Sequence, residues 1–342
     1  VQTCALPIFQ QLGGGKDYRN LLDCKSVAEV AAYLKANTDY HDVLTGINEY
    51  DIHRGQLEVL IKQKLFYNLS SFVRYELSVG EQLADYVIAR AEIEEILDAL
   101  MLMSAGRQEE YSQAAPLYLA KHTKIHMEQF SSLQTYGEFL DALGSSVYRR
   151  LLAPFEPKPG EPVDVFAVEN QLYSYLFSHV QEIIDHRVRG KTKKEVRELF
   201  QGYIDLENYA RIIRMKKRFR AHPEFIEKNL LPFGSLKPKQ LNALIHAETA
   251  NQAAAIFRTT SRGKKTANVE YNFVDELAQR IKFISGKHYI HFSSHPPVVL
   301  LSYIFLADTE VHNITTIVEG IRYQVSVDDI KKLLILPTDK AG

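Results

Sequence analysis

The hydrophobic positions of this chain recur at helical spacing, and one nine-residue pattern of this kind occurs three times. It reads acidic, apolar, any, polar, apolar, any, any, apolar, apolar, and it begins at Glu92, Asp205 and Glu310. Its apolar positions fall on one stripe of a 3.6-residue helix, so each copy predicts an amphipathic helix that packs against another element. The acidic first residue suits the partial positive charge of a helix N-terminus.

A capping box precedes the nine-residue pattern in each copy. The three boxes are Ser26–Glu29, Thr135–Glu138 and Thr249–Gln252. In each, we expect the hydroxyl to accept a hydrogen bond from the N–H three residues on, and the Glu or Gln to reach back to the N–H of the capping residue. The boxes lie 109 and 114 residues apart, and the nine-residue copies 113 and 105 apart. Two patterns in the same order three times predict a triplicated, all-α chain.

Chain length and turn residues predict where the three copies begin and end. The 342 residues divide into three lengths of about 110, a usual domain size. We expect helical repeats over 9–115, 116–222 and 223–342. Ala153–Pro162 is expected to be an exposed loop within the second repeat, and Pro223–Pro238 the boundary before the third. The best strand candidate, 287–292, is equally consistent with a helix end.

The first residues of the chain do not fit the repeat. Val1–Ile8 matches the translation of a widely used sequencing adapter, so we expect these eight residues to be non-native and a helix before Tyr18 to have been lost. Gly13–Lys16 resembles a phosphate-binding loop only superficially, because Asp17 stands where that motif requires Ser or Thr. We expect a flexible loop there. Cys24 is then the remaining cysteine, which excludes an intrachain disulfide and a cysteine-based zinc site.

Composition and motifs favour a globular helical protein without catalytic or cofactor chemistry. Hydrophobic residues make up 46% and charged residues 24%, and no apolar window is long enough for a transmembrane helix. No nucleophile motif occurs, and no cofactor is expected. His122 and His126 could face one way on a helix, but no third metal ligand accompanies them. The other histidine group, which comprises His288, His291 and His295, favours ordinary surface or interior residues.

The charge of the chain is concentrated in one stretch. Residues 187–220 contain twelve Lys or Arg and four acidic residues, a local charge of +8 in a chain whose net charge is −1. This predicts a docking face for an acidic partner, and the alternative is a solvated helix face. Nucleic acid is disfavoured because no binding motif and few aromatic residues accompany the stretch. The candidate contact residues are Arg211, Arg214, Lys216 and Lys217.

A further set of candidates occupies the polar fourth position of the nine-residue pattern. Glu95, Asn208 and Asn313 share this position, so we expect equivalent locations and a role at a partner interface. The alternative is a solvent-facing helix residue.

The second and third copies, with their surroundings, resemble a known family. The residues that carry the resemblance are 202–214 and 310–322, together with Leu230–Leu236 and the closing segment Ser326–Leu334. They are similar to the C subunit, called d in eukaryotes, of V-type and A-type rotary ATPases. The resemblance covers most of the chain from about Tyr18. It implies an all-α fold of three similar domains arranged with pseudo-threefold symmetry as a funnel.

The resemblance also implies a function. It predicts a non-catalytic rotor subunit, a socket that joins the central-shaft subunits to the membrane proteolipid ring and transmits torque for proton or sodium transport. It predicts one copy per complex, no cofactor and no membrane span, at the cytoplasmic face of the membrane. The leading alternative is a helical scaffold that binds an acidic partner or RNA, and a third is an enzyme with an unrecognised site.

Overall fold

A computed structural model describes residues 15–73, 80–113 and 115–336 of the chain. These residues contain helices and connecting turns and no β-strand, which confirms the predicted all-α fold class. None of the helices within those ranges is both long and apolar enough to cross a membrane. Val1–Ile8 and the first two residues of Gly13–Lys16 lie outside the described residues.

Sixteen α-helices can be numbered along the described residues. They are α1 (Gly15–Asp23), α2 (Val27–Asn37), α3 (His41–Leu44), α4 (Arg54–Val73), α5 (Gly80–Ser104), α6 (Tyr136–Ala142), α7 (Val147–Leu152), α8 (Val165–His186), α9 (Gly190–Arg214), α10 (Pro223–Lys228), α11 (Pro238–His246), α12 (Ala250–Thr259), α13 (Ser261–Lys265), α14 (Val274–Phe292), α15 (Pro296–Arg322) and α16 (Val327–Leu333). Short 3-10 helices occupy Gln108–Gln113, Met127–Ser132 and Ala153–Phe155, and a π-helical turn at Met215–Phe219 extends α9.

The order of these elements repeats three times. A capped helix is followed by a short helix, two long helices and another short helix. The copies are α2 to α5 with the 3-10 helix Gln108–Gln113, α6 to α10, and α12 to α16. The nine-residue pattern lies on the second long helix each time, on α5, α9 and α15. The register predicted from the two sequence patterns is therefore present in the order of the helices.

The three predicted caps begin the helices that they were expected to begin. The hydroxyls of Ser26, Thr135 and Thr249 accept hydrogen bonds from the N–H three residues on, at N···O distances of 3.1–3.2 Å. The return bond differs from the prediction in each copy. The Glu or Gln side chain accepts from the N–H of the residue before the cap, at 2.7 Å, and this bond closes the turn one residue earlier.

The chain divides into two compact units. Unit 1 comprises residues 1–165 and 303–342, and unit 2 comprises residues 166–302. Unit 1 contains helices from all three predicted repeats, and unit 2 contains helices from the second and third. The division into three domains in chain order stays a prediction.

The two units contain cores built from equivalent elements. In unit 1, fully or almost fully buried side chains come from α15, α16, α2 and α4, and include Ile314, Ile317, Ile330, Leu34 and Ile61. In unit 2, the corresponding helices α9, α10, α12 and α14 contribute Ile212, Ile226, Phe257 and Leu277. The apolar stripe of the nine-residue pattern faces inward in the first copy too, where Ile93, Ile96 and Leu100 are fully buried.

Several local predictions are corrected or resolved. Gly15 and Lys16 begin α1, so at these two positions the predicted flexible loop is wrong. Residues 287–292 form the last turns of α14 and not a strand. The predicted boundary at Pro223–Pro238 contains α10, which begins with proline because the first helical position needs no backbone N–H. Residues 156–162 form an irregular, mostly exposed segment, as predicted.

Candidate partner-contact sites

The polar positions Asn208 and Asn313 are buried and make the same pair of hydrogen bonds. The Nδ2 of Asn208 donates to the carbonyl of Leu231, and its Oδ1 accepts from the N–H of the same residue, at 2.9 and 2.7 Å. Asn313 does the same with Ile335, at 2.9 and 2.8 Å. Each side-chain amide thereby bonds both backbone groups of one residue, as a neighbouring β-strand would, and this residue lies just after the next short helix. The solvent-facing alternative is wrong for both residues, which are 3% and 1% exposed.

The third member of this set, Glu95, is also buried but has a different partner. Its carboxylate accepts a hydrogen bond from the hydroxyl of Tyr111, at 2.7 Å. Burial raises the pKa of Glu95 to about 7, against the opposing effects of the nearby Lys62 ammonium and of that hydrogen bond. The sequence correctly predicts a shared place in the helix for all three side chains. Their burial within the units shows that they contribute to packing, and their role at a partner interface stays a prediction.

The acidic first residues of the pattern bind the next copy of the repeat. Glu92 on α5 accepts hydrogen bonds from Tyr148 on α7, at 2.8 Å, and from Thr123, at 2.6 Å. Glu310 on α15 accepts one from Tyr40, the residue immediately before α3. Both contacts lie within unit 1. In both contacts, the second long helix of one repeat is hydrogen-bonded to the short helix that follows the capped helix of another repeat, or to the residue just before that short helix.

Asp205 makes the corresponding contacts in unit 2. Its carboxylate accepts from the backbone N–H groups of Ser235 and Leu236, at 2.7 and 3.1 Å, and lies 3.4 Å from the Nε of Arg262 on α13. Gly234 permits this approach, because a Cβ at that position would lie 2.6 Å from an Asp205 oxygen. The first repeat is thus bonded to the second, the second to the third, and the third to the first.

The basic residues predicted to contact a partner do not form one exposed face. Arg211 is 3% exposed and is paired with Glu169 at 3.0 Å, within unit 2. Arg214 is paired with Asp275 at 2.8 Å. Lys216 donates to the carbonyl of Ile245, and partial burial lowers the pKa of its ammonium. Helix α9 turns the Arg211 side chain toward α8 rather than toward solvent, and its docking role stays a prediction.

The exposed cations of the stretch are at the two ends of α9. Arg187, Arg189, Lys191 and Lys194 lie at its start, and Lys217, Arg218 and Arg220 lie beyond its end. Twenty-five helical residues separate these ends by about 37 Å. The local charge of +8 is therefore divided between two distant surfaces. Of the four contact candidates, Lys217 is the one that the structure leaves exposed.

Unit 1 contains a charge-lined groove that the sequence analysis missed. It has a volume of about 310 Å³ and lies among α4, α5 and α15. Arg90 crosses it to Asp308 at 2.6 Å and also contacts Glu94 at 3.1 Å. Lys62 and Glu58 line the groove and are paired at 3.2 Å. Arg90 and Asp308 both stand two residues before an acidic pattern start, but equivalent positions in two repeats do not predict that their side chains meet.

The histidine pairs are not arranged as metal ligands. His122 lies in a turn and His126 directly before a 3-10 helix, so the two residues do not share a helix. His126 is 3.4 Å from Glu128, and the ring of His122 packs against Phe66. Within the described ranges, no group of three His, Cys, Asp or Glu side chains is placed to hold a metal ion.

Comparison with known proteins identifies the family of this chain. A family model described as ATP synthase (C/AC39) subunit matches residues 14–333. The chain belongs to this ATP synthase (C/AC39) subunit family. Membership confirms the resemblance found in the sequence, and it classes the chain as a non-catalytic subunit of a rotary ATPase and not as an enzyme by itself.

Two curated relatives of this family are A-type ATP synthase subunits C. The protein from Methanosarcina acetivorans is 26% identical over 300 residues, which cover 83% of this chain and 72% of the relative. The protein from Methanosarcina mazei is 24% identical over 288 residues, with the same coverage of both chains. Both matches extend over most of the repeated region and are not confined to one motif.

Proposed function

We propose that this chain is the rotor subunit that joins the central shaft of an A/V-type ATPase to its membrane proteolipid ring and transmits torque between them. One copy acts per complex, on the cytoplasmic face of the membrane, in support of proton or sodium transport. The observation that carries the proposal is the cyclic order of contacts made by Glu92, Asp205 and Glu310. Contacts from first to second, second to third and third to first repeat support a pseudo-threefold body, as the funnel arrangement of the family implies.

The physical demands on such a socket agree with these contacts. A body that carries torque must not shear between its repeats, and buried carboxylates with several donors resist displacement because breaking them leaves a charge without partners. Asp205 is 1% exposed and Glu92 is 9% exposed. The Asn208 and Asn313 bonds fix the chain that follows two of the three repeats. Rigid joints of this kind transmit rotation between the two contact surfaces.

The exposed cations beyond the end of α9 are the proposed shaft contact. Lys217, Arg218 and Arg220 remain accessible, and Arg220 has a left-handed backbone (φ 47°) where the π-helical turn ends. An acidic surface on the shaft would complement them. Such contacts steer association and weaken with salt, since the screening length is about 10 Å at 0.1 M.

The function is tested by adding the chain back to an A-type ATPase purified without its own C subunit. We expect the chain to bind shaft and ring subunits and to restore ATP-driven ion pumping in vesicles. Failure to bind either partner, or pumping that stays at the level without the subunit, would contradict the rotor function.

The shaft contact is tested separately by the reversal Lys217→Glu, Arg218→Glu and Arg220→Glu. We expect slower association with isolated shaft subunits at low salt, with a difference that shrinks as salt is raised. The matched control is Lys239→Glu, Lys264→Glu and Lys265→Glu, which changes the net charge equally at exposed positions of α11 and α13. An equal effect of both triple reversals would show that overall charge, and not this surface, governs association.

A further inference from the structure

Two helix turns of unit 2 lie side by side and form one surface, which we call the turn surface. It comprises residues 186–194, between α8 and α9, and residues 287–295, at the end of α14. Ser293 donates a hydrogen bond to Glu195 at 2.8 Å, and His295 lies 4.0 Å from the same carboxylate. Helices α9 and α14 run antiparallel, so the end of α9 lies beside the start of α14, where Arg214 contacts Asp275. The turn surface is therefore at the opposite end of α9 from the proposed shaft contact.

The turn surface is strongly and uniformly basic. Its two segments contain six Lys or Arg and no Asp or Glu. Five of these cations, namely Arg187, Arg189, Lys191, Lys194 and Lys287, are exposed. The two carboxylates that flank the first segment are engaged, since Glu195 contacts Ser293 and Lys191, and Asp185 is paired with Lys193 and Arg197. Four histidines add polar rings, at positions 186, 288, 291 and 295.

An exposed aromatic side chain stands among these cations. Phe292 is 76% exposed at the last position of α14, and the ring of His288 lies 5.0 Å from it, one turn earlier. Ile284, a further turn back on the same face, is 50% exposed. A row of exposed apolar and aromatic side chains flanked by Lys and Arg is the pattern of helix faces that lie at a membrane interface. Burial of Phe292 in the acyl boundary would remove its ring from water.

We propose that the turn surface binds the anionic headgroups of a lipid bilayer directly. The inference rests on the proposed function, in which one end of this chain contacts the membrane proteolipid ring. It adds a direct contact between that same end and the lipid around the ring. A bilayer fits better than an acidic protein segment, because the cations are spread over two turns around the exposed aromatic ring of Phe292. Lys and Arg near anionic lipid each add to binding without a fixed partner geometry.

The test uses the whole chain and sedimentation with lipid vesicles. One set of vesicles contains phosphatidylcholine alone, and the other contains equal parts of phosphatidylcholine and phosphatidylglycerol. We expect binding to the anionic set only, with a dissociation constant that rises as salt is added. Arg187→Glu, Arg189→Glu and Lys194→Glu together should weaken this binding at least tenfold, and Phe292→Ser should weaken it severalfold.

The matched control is the triple reversal Lys121→Glu, Lys124→Glu and Lys158→Glu at exposed positions of unit 1, which should bind as the unchanged chain does. Acidic residues near the start of α9 suit the helix dipole, so the first reversal is expected to keep full helicity by circular dichroism. Equal loss in both triple reversals, or equal binding to both vesicle sets, would overturn the proposal. So would binding of an acidic peptide by the turn surface without binding of anionic vesicles.

The outcome is distinguishable from failure of the rotor function. If vesicle binding behaves as expected but the chain fails to restore pumping, the lipid-binding surface stands and the rotor function does not. If pumping is restored but the turn-surface reversal leaves vesicle binding unchanged, the rotor function stands and the lipid contact is wrong.

Discussion

Replacement of Asn208 by alanine tests whether its buried amide fixes the chain that follows the second repeat. The change removes both hydrogen bonds to Leu231, whose side chain is 5% exposed, so that the freed N–H and C=O have little access to water. An unsatisfied buried group costs about 1–3 kcal/mol, so two of them predict a loss of about 2–6 kcal/mol in the free energy that keeps this segment closed. At about 1.4 kcal/mol per factor of ten, the smaller figure corresponds to roughly thirtyfold faster local exchange.

Hydrogen exchange of the amide of Leu231 is the direct measurement. Asn208→Ala should accelerate it at least to that extent, and Asn313→Ala should do the same for Ile335, since the two geometries match within 0.1 Å. The control is Asn251→Ala, an exposed position on α12. The reasoning would be refuted if the hydrogen-exchange rate of the Leu231 amide were unchanged in Asn208→Ala, or if the control accelerated it equally. Either result would show that these two bonds do not protect the segment from local opening.

Three other predictions follow from local geometry. Ser26→Ala, Thr135→Ala and Thr249→Ala should each lower the free energy of unfolding by about 1 kcal/mol in urea titrations, and Ser→Thr or Thr→Ser at the same sites should restore most of it. Gly234→Ala should lower the free energy of unfolding of unit 2 by about 1–3 kcal/mol, because the new methyl group would force the Asp205 carboxylate away from its hydrogen-bond donors. A free energy of unfolding equal to that of the unchanged chain would show that the segment containing Gly234 shifts without cost. Glu95 has a pKa of about 7 in the folded chain against an ordinary value near 4.5, so the free energy of unfolding should fall as pH rises from 4.5 to 7. The free energy of unfolding of Glu95→Gln, relative to that of the unchanged chain, should therefore rise by about 2–3 kcal/mol between pH 5 and 8. A difference between the two chains that does not change with pH would contradict the raised pKa.

The sequence by itself determined the helical class, the triplication and the family. Caps, acidic helix starts and apolar stripes are local features, because each depends on residues within three or four positions of one another. Ser26, Thr135 and Thr249 are therefore identifiable as helix starts from the sequence alone. The family can be recognised for the same reason, since its motifs are continuous stretches of helix.

Tertiary structure decided which polar residues are buried and which charges remain free. Asn208 meets Leu231 and Arg211 meets Glu169 across 23 and 42 positions of chain, and Arg90 meets Asp308 across 218. No helical periodicity encodes such pairs, because the spacing pattern fixes the face of a side chain and not the element opposite it. Folding brings those elements together, and it converts one basic stretch into a buried arginine and two exposed clusters about 37 Å apart.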